Sequence, residues 1–419
     1  MRTLPPLPSW VALEHQVANI LTRQELHGWQ FDEDAARELE CTLRQELSDL
    51  TKVLQARFPY VPGTEFTPKR NNKRQGYVEG ATFTRLKDFN PSSREHVAWI
   101  LTNYDNFEPS GTTTISGKTK IDETILKTHG TGLSEQFLRI LELTKILGMM
   151  SEGVNAWLKL VTSAKRLHHS CSVGCATFRC SHRNPNLAQV PSDLTYRRLF
   201  TATPGQVMVG ADLSGIELRM LSHYLSRYDT YFGDNLLNGD IHQLNADKIG
   251  ITRKLVKTVT YAFLYGAGNE KIGYSYDKQL TPARAKAKGR EIKEAFIEAI
   301  PGLSDLLSAV KSAADRGFVK GIDGRKILVD SPHKALNYLL QGSAGVIAKR
   351  WMVIANDNPF CCSQLAFIHD ELQYECHPDH AADLKFLLEF SAVRAGEYYD
   401  LRIPIAAEGK IGNNWAEVH

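Results

Sequence analysis

Apolar residues recur along the chain with different periods, and the changes of period divide it. Between residues 12 and 57 the pattern predicts two helices broken at "HGWQFD"; in the second, Leu39, Leu43, Leu47, Leu50 and Leu54 keep near one stripe. From 59 to 88 no period is visible: "PYVPGTEFTPKRNNKRQGYVEGATFTRLKD" is rich in Pro, Gly, Asn and basic residues and is expected to be a mobile insertion. A helix after "NPSS" and a long one over about 133–162 complete a first third expected to be all-helical. Short strands and loops are predicted over "RLHHSCSVGCATFRCSHRNPNLAQVP", 166–191. In "QVMVGADLSGIELRMLSHYL" an apolar run suits a buried strand ending at Asp212, followed by a helix with Ile216, Met220, Leu221, Tyr224 and Leu225 on its inner side.

Two further stretches carry candidate chemistry. In "TRKLVKTVTYAFLYGAG", 252–268, Arg253, Lys257, Tyr261 and Tyr265 recur every four residues, while Leu255, Val259 and Phe263 recur on another side. Thr252 suits an N-cap, and Gly266 and Gly268 suit a stop. One face is thus cationic at its start and aromatic at its end. It fits a triphosphate and a base, and equally an amphipathic helix whose Arg and Lys snorkel. In "AFIHDELQYEC", Phe367, Ile368, Leu372 and Tyr374 read as arms of a half-buried hairpin around His369, Asp370 and Glu371. These three suit a solvated turn or a functional site. On a strand successive side chains point to opposite faces, so Asp370 and Glu371 do not grip one ion together. A metal-binding Asp370 needs a partner elsewhere, and Asp212, at a strand end before a helix, is either that partner or a helix cap.

Composition narrows the class. At 419 residues the chain suggests two or three lobes, and 42% hydrophobic with 23% charged residues suits a globular protein. No run of about 18 apolar residues exists for a membrane span, and "MRTLPPLPSW" lacks a signal-peptide core, which points to a cytoplasmic protein. Seven unevenly spread cysteines suit reduced thiols. Cys171, Cys175 and Cys180 with His168, His169 and His182 invite a zinc reading, but without a CxxC pair they read as ordinary strand residues. A net charge of +3, from 50 basic and 47 acidic residues, is too balanced to indicate nucleic acid. The clusters Lys69, Arg70, Lys73, Arg74 and Arg284, Lys286, Lys288, Arg290, Lys293 suit phosphates or a solvated face.

The stretches "DLSGIELR", "RKLVKTVTYAFLYG" and "HDE" resemble motifs A, B and C of family A DNA polymerases, in order. "PNLAQVP", "GDIH", "GIDGRK", "ALNYLLQGSAG" and "EGKIGNNW" agree, and several of these, with "FNPSSREH", resemble the replicative polymerases of small tailed phages. The resemblance implies an α+β right-hand fold with an antiparallel palm sheet. Its expected parts are a helical thumb over 1–150 with the basic insertion at 59–88, a palm over 151–232 and 321–419, and fingers over 233–320.

The resemblance also implies template-directed DNA synthesis on a primed template from deoxynucleoside triphosphates, by a two-metal reaction. Asp212, Asp370 and the Leu213 carbonyl would hold two Mg2+ ions, with Mn2+ able to substitute. Glu371 would turn aside as a supporting catalytic group. Arg253, Lys257 and His242 would bind the triphosphate, Lys257 also protonating pyrophosphate. Glu217 and Tyr261 would line the sugar, and Tyr265 would guard the template side. Arg179, Gln341, Asn337, Arg325 and His369 would meet DNA. One departure is Phe178, standing where the family's Thr-Gly-Arg has glycine, which puts the backbone beside Arg179 in question.

The family's proofreading domain is not expected in this chain, so a separate exonuclease and a processivity factor at 59–88 are expected partners. A single-subunit RNA polymerase and a non-catalytic DNA-binding accessory are the rival readings. Glu217 weighs against the first, and the presence of Asp212, Asp370 and Lys257 against the second.

Overall fold

The computed structural model describes residues 7–108, 117–278 and 280–419; most of "MRTLPPLPSW" lies outside them. The chain forms two compact units, one of residues 34–159 and one of residues up to 33 with 160–419. The first helix, Ser9–His27, therefore leaves the expected 1–150 lobe: Leu13, Val17, Ile20 and Leu21 join the core of the larger unit.

In the smaller unit the helix Glu33–Arg57 sets Leu54 against Phe89, Ile100, Phe137 and Ile140. Asp122 caps the helix Glu123–His129, and Thr131 forms a capping box on Gly132–Leu147, so each start has its backbone donors satisfied. The stretch expected to be a mobile insertion instead folds as a hairpin of Tyr60–Phe66 against Phe83–Asp88. Phe66, Tyr77 and Phe83 pack ring on ring at 4.9–6.0 Å, with the Arg85 guanidinium 4.7 Å over Phe66. Lys69, Arg70, Lys73 and Arg74 are exposed beyond the strands.

The larger unit centres on a four-stranded antiparallel sheet in the order Cys362–Ile368, Glu371–Cys376, Val207–Leu213, Ala407–Gly412. Val207–Leu213 lies between two partners and is buried along most of its length, as its continuous apolar run requires. Helices Ser9–His27, Ala335–Asn356 and Ala381–Tyr398 pack around this sheet. The second is buried nearly all round, consistent with its lack of a polar stripe. Four helices with short connections run from Tyr231 to Tyr276, and two more follow, Pro282–Ala299 and Leu303–Ala314. There Gly273 and Gly289 let Asn269–Tyr276 and Pro282–Ala299 touch backbone to backbone, since a Cβ at either would lie within 1.8 Å of a carbonyl oxygen. Among the described residues no helix is long and apolar enough to cross a membrane.

Candidate active site

The sheet register brings distant residues together. Asp212, next to last in its strand, stands directly opposite Glu371, and the Leu213 amide donates to the Asp370 carbonyl at 2.9 Å. The turn between the hairpin arms is made by His369 in the left-handed region, φ 61°, where histidine is tolerated better than a branched residue. Burial first, then the charges of Asp370 and Glu371, push the Asp212 carboxyl up to about 7. Burial, then Glu217, push Asp370 up to about 6.

The Glu371 side chain is buried beside Asp212. Its carboxylate, the Asp212 carboxylate and the His419 imidazole bring one ligand atom each within 4.8 Å of one another. Burial raises the Glu371 carboxyl, but His419 at 3.3 Å and the Trp415 indole N–H bring it below its ordinary value. Gln373 donates to it at 2.6 Å. Gly210, opposite Gln373, makes room for that amide: a Cβ there would lie 2.6 Å from the Gln373 Nε2. Arg197 stacks 4.4 Å over the Trp415 ring, and its charge acts on Glu371 and Asp212. The sequence reading missed His419, Trp415 and Arg197; the closing "EGKIGNNW" was their nearest signal.

Beside this cluster Glu217, on the helix Ile216–Leu225, accepts from Arg179 at 2.6 Å and from the Tyr265 hydroxyl at 3.2 Å. Tyr265 follows the helix Arg253–Leu264, which Thr252 caps as its spacing predicts. Tyr261, one turn earlier, is half-buried, and its hydroxyl is raised by burial and by the charges of Glu217 and Asp370. The His242 ring lies 6.3 Å from the Tyr261 ring; burial lowers the imidazole's affinity for a proton. Arg253 is exposed and paired with Asp240 at 2.6 Å, and Lys257 is exposed on the same helix. Asn337 donates to the Leu264 carbonyl at 2.9 Å, and Gln341 follows one turn later. His369 packs its ring 5.5 Å from His182, and burial lowers its affinity for a proton.

Two residues behave differently from expectation. Arg325 is not a DNA-facing cation: it is 8% exposed and bonded to Asp323 and Glu14, where buried Lys349 also pairs. Its guanidinium lies 4.2 Å over the Phe178 ring. Phe178 takes φ 57°, the left-handed backbone a glycine would supply, so the path to Arg179 is kept despite the substitution. The carbonyl of Phe178 lies close enough to Gly345 that a Cβ there would sit at 3.2 Å.

The described geometry is that of a palm-type sheet with clustered carboxylates facing a helix of cations and aromatics. Residues 65–417 match the model of DNA polymerase family A. The chain is 31% identical over 503 residues to the DNA-directed DNA polymerases of Enterobacteria phage T3 and Escherichia phage T7, covering 98% of this chain and 70% of each. It is 28% identical over 323 residues to DNA polymerase I of Treponema pallidum (strain Nichols), covering 68% of this chain and 31% of that one. In fold it is similar to the POL domain of Pol1 from M. smegmatis, with a TM-score of 0.77 and 21% identity over 97% of this chain and 70% of that one. The chain belongs to DNA polymerase family A. It is a DNA-directed DNA polymerase, and its reaction is template-directed DNA synthesis. The Asp212 and Glu371 carboxylates with the His419 imidazole make up a donor set able to take the divalent metal ions that such polymerases use.

Proposed function

We propose that the chain extends a primer 5′ to 3′ by nucleotidyl transfer with two Mg2+ ions, Mn2+ able to substitute, held by Asp212, Asp370 and the Leu213 carbonyl. The observation that carries this reading is the shared burial of Asp212 and Asp370, whose carboxyls are pushed up to about 7 and about 6. Carboxylates whose negative charge is so poorly compensated bind a hard cation in exchange for protons. When bound, such ions activate the primer 3′-hydroxyl and offset charge on the triphosphate.

The chain's own residues do the rest. Arg253, Lys257 and His242 neutralise the triphosphate, and Lys257 gives a proton to the departing pyrophosphate. Glu217 fills the space beside the sugar's 2′ carbon and Tyr261 meets its 3′ side. Tyr265 guards the template side; Arg179, Asn337 and Gln341 meet the minor groove, and His369 the primer end. The M. smegmatis POL domain is in complex with DNA primer-template and dNTP, and the same ligands are proposed here. Residues 34–159 then serve as thumb, 233–320 as fingers, and 160–232 with 321–419 as palm. A processivity partner binds the 59–88 hairpin. Proofreading comes from a separate exonuclease, and the enzyme works in a bacterial cytoplasm.

Primer extension tests this. Asp212→Ala and Asp370→Ala each abolish extension while primer-template affinity stays within about threefold, because each removes a metal ligand and no phosphate contact. Extension by either variant at a tenth of the parent rate refutes the assignment. The purified chain leaves a mismatched primer undigested; metal-dependent 3′ to 5′ digestion by it refutes the proofreading statement.

A further inference from the structure

A hairpin outside the catalytic cluster carries an unexpected set of side chains. Ser170–Ser172 pairs with Ser181–Arg183, and Cys171 stands directly opposite His182. His169 lies two residues before Cys171, so strand alternation sets all three on one face. The other face is hydroxylic, with Ser172 and Ser181 bonded at 3.0 Å. A hairpin face turned to a core normally presents apolar residues. This one presents two imidazoles and a thiol.

Their atoms converge. One ligand atom from each of His169, Cys171 and His182 lies within 4.8 Å of the others, and Cys171 Sγ is 3.2 Å from His182 Nδ1. The Gln24 amide nitrogen is 3.1 Å from His169 Nε2 and 3.7 Å from Cys171 Sγ, so ring and thiol meet at one point. Both histidines are buried, His169 completely. His169 Nδ1 is left without a hydrogen-bond partner, while His182 faces the thiol through Nδ1 and its open Nε2 lies on the other side of the ring. The absence of a CxxC pair argued against zinc along the chain, but spacing across the ladder replaces spacing along it.

We infer that His169, Cys171 and His182 form a binding site for a soft divalent cation of the zinc type, separate from the carboxylate cluster. Tetrahedral zinc with bonds of about 2.0–2.3 Å sets its ligand atoms roughly 3.5 Å apart, so the Cys171–His182 pair is already at the required separation. Binding replaces the thiol proton, which leaves to solvent. The fourth position goes to water, because the Gln24 oxygen already accepts from Gln364 at 2.7 Å. Such an ion cross-links the two strands of the hairpin just ahead of Arg179. It also braces His182, whose ring lies against His369.

The test loads the full chain with Zn2+ or Co2+, dialyses against excess Mg2+, and measures retained metal and the visible spectrum. The parent and an Asp212→Asn, Asp370→Asn variant are each expected to keep about one equivalent and, with Co2+, to show thiolate-to-metal charge transfer. A Cys171→Ser, His182→Gln variant is expected to lose both. Zinc that disappears with the palm carboxylates, retention below about a tenth of an equivalent, or a cobalt spectrum without thiolate absorption overturns the site. The spectrum of the unmodified chain decides the matter even where the variant fails to fold.

Discussion

Asparagine at position 212 keeps the volume of the aspartate and removes its ionisation. In the folded chain burial and the charges of Asp370 and Glu371 hold this carboxyl at about 7, against an ordinary 3.8. Because the folded value lies above the unfolded one, the stability it supports is present below about pH 4 and is lost as pH rises through 7. A displacement of roughly three units corresponds to about 4 kcal/mol. Asp212 is partly open to the cleft, and solvent screening brings this to about 2 kcal/mol. Asp212→Asn should therefore be more stable than the parent by about 2 kcal/mol at about pH 8 in EDTA, a rise of about 4 °C in melting temperature. At about pH 5 the gain should shrink to less than half, since the parent's carboxyl is then largely protonated. Excess Mg2+ should narrow the gap at the higher pH by stabilising the parent. Urea and thermal unfolding at both pH values measure it. A variant no more stable than the parent at the higher pH, or a gain unchanged at the lower, refutes the claim that this site stores unfavourable charge.

Three more outcomes are expected. Tyr261→Phe should discriminate against dideoxynucleotides by about 100-fold, roughly 3 kcal/mol, where the parent accepts them nearly as well as natural substrates; direct competition on a sequencing ladder gives the ratio. Against the upward push of burial, His27, the Thr203 amide and hydroxyl, and Arg166 hold Glu375 down to about 2. Its folded value lies below the ordinary 4.5, so its contribution is present above that pH and lost on acidification toward 2; urea unfolding of Glu375→Gln should vary less over this window than that of the parent. Neutralising Lys69, Arg70, Lys73 and Arg74 should shorten products per binding event and flatten the salt dependence of DNA binding; unchanged product length over a salt series would leave the hairpin tip without this role.

What could be read from the chain depended on whether a period was local. The helix Arg253–Leu264 announced itself because its cap and both faces lie within one window of residues. Asp212 and Asp370 were recognisable as candidates, but their meeting rests on pairing between strands about 160 residues apart, which no local pattern encodes. For the same reason the pairing of Glu371 with Asp212 across the ladder could not be read from the chain. His419 and Trp415 went unnoticed because an isolated imidazole and indole near a chain end have no periodicity. The strands of the 59–88 hairpin show no clear alternation because most of their residues are exposed on both faces. Arg325 misled for the opposite reason: a basic motif residue gives no sign in sequence that Glu14, over three hundred positions away, accepts from it.

That last contact limits how this chain can vary. Glu14, Asp323, Arg325 and Lys349 form a closed group of two negative and two positive side chains, none more than 16% exposed. Losing Glu14 strands Lys349, and losing Arg325 strands Asp323, a change worth about 3–5 kcal/mol in comparable buried pairs. Phe178 adds a further constraint, since its left-handed backbone, disfavoured by about 1–2 kcal/mol, has the Arg325 guanidinium over its ring. Single-step replacement at 14 or 325 thus passes through a less stable intermediate, whereas a coordinated exchange need not. A glycine at 178 would release the left-handed strain and give up the ring beneath the guanidinium, while Arg325 would keep Asp323 and Glu14.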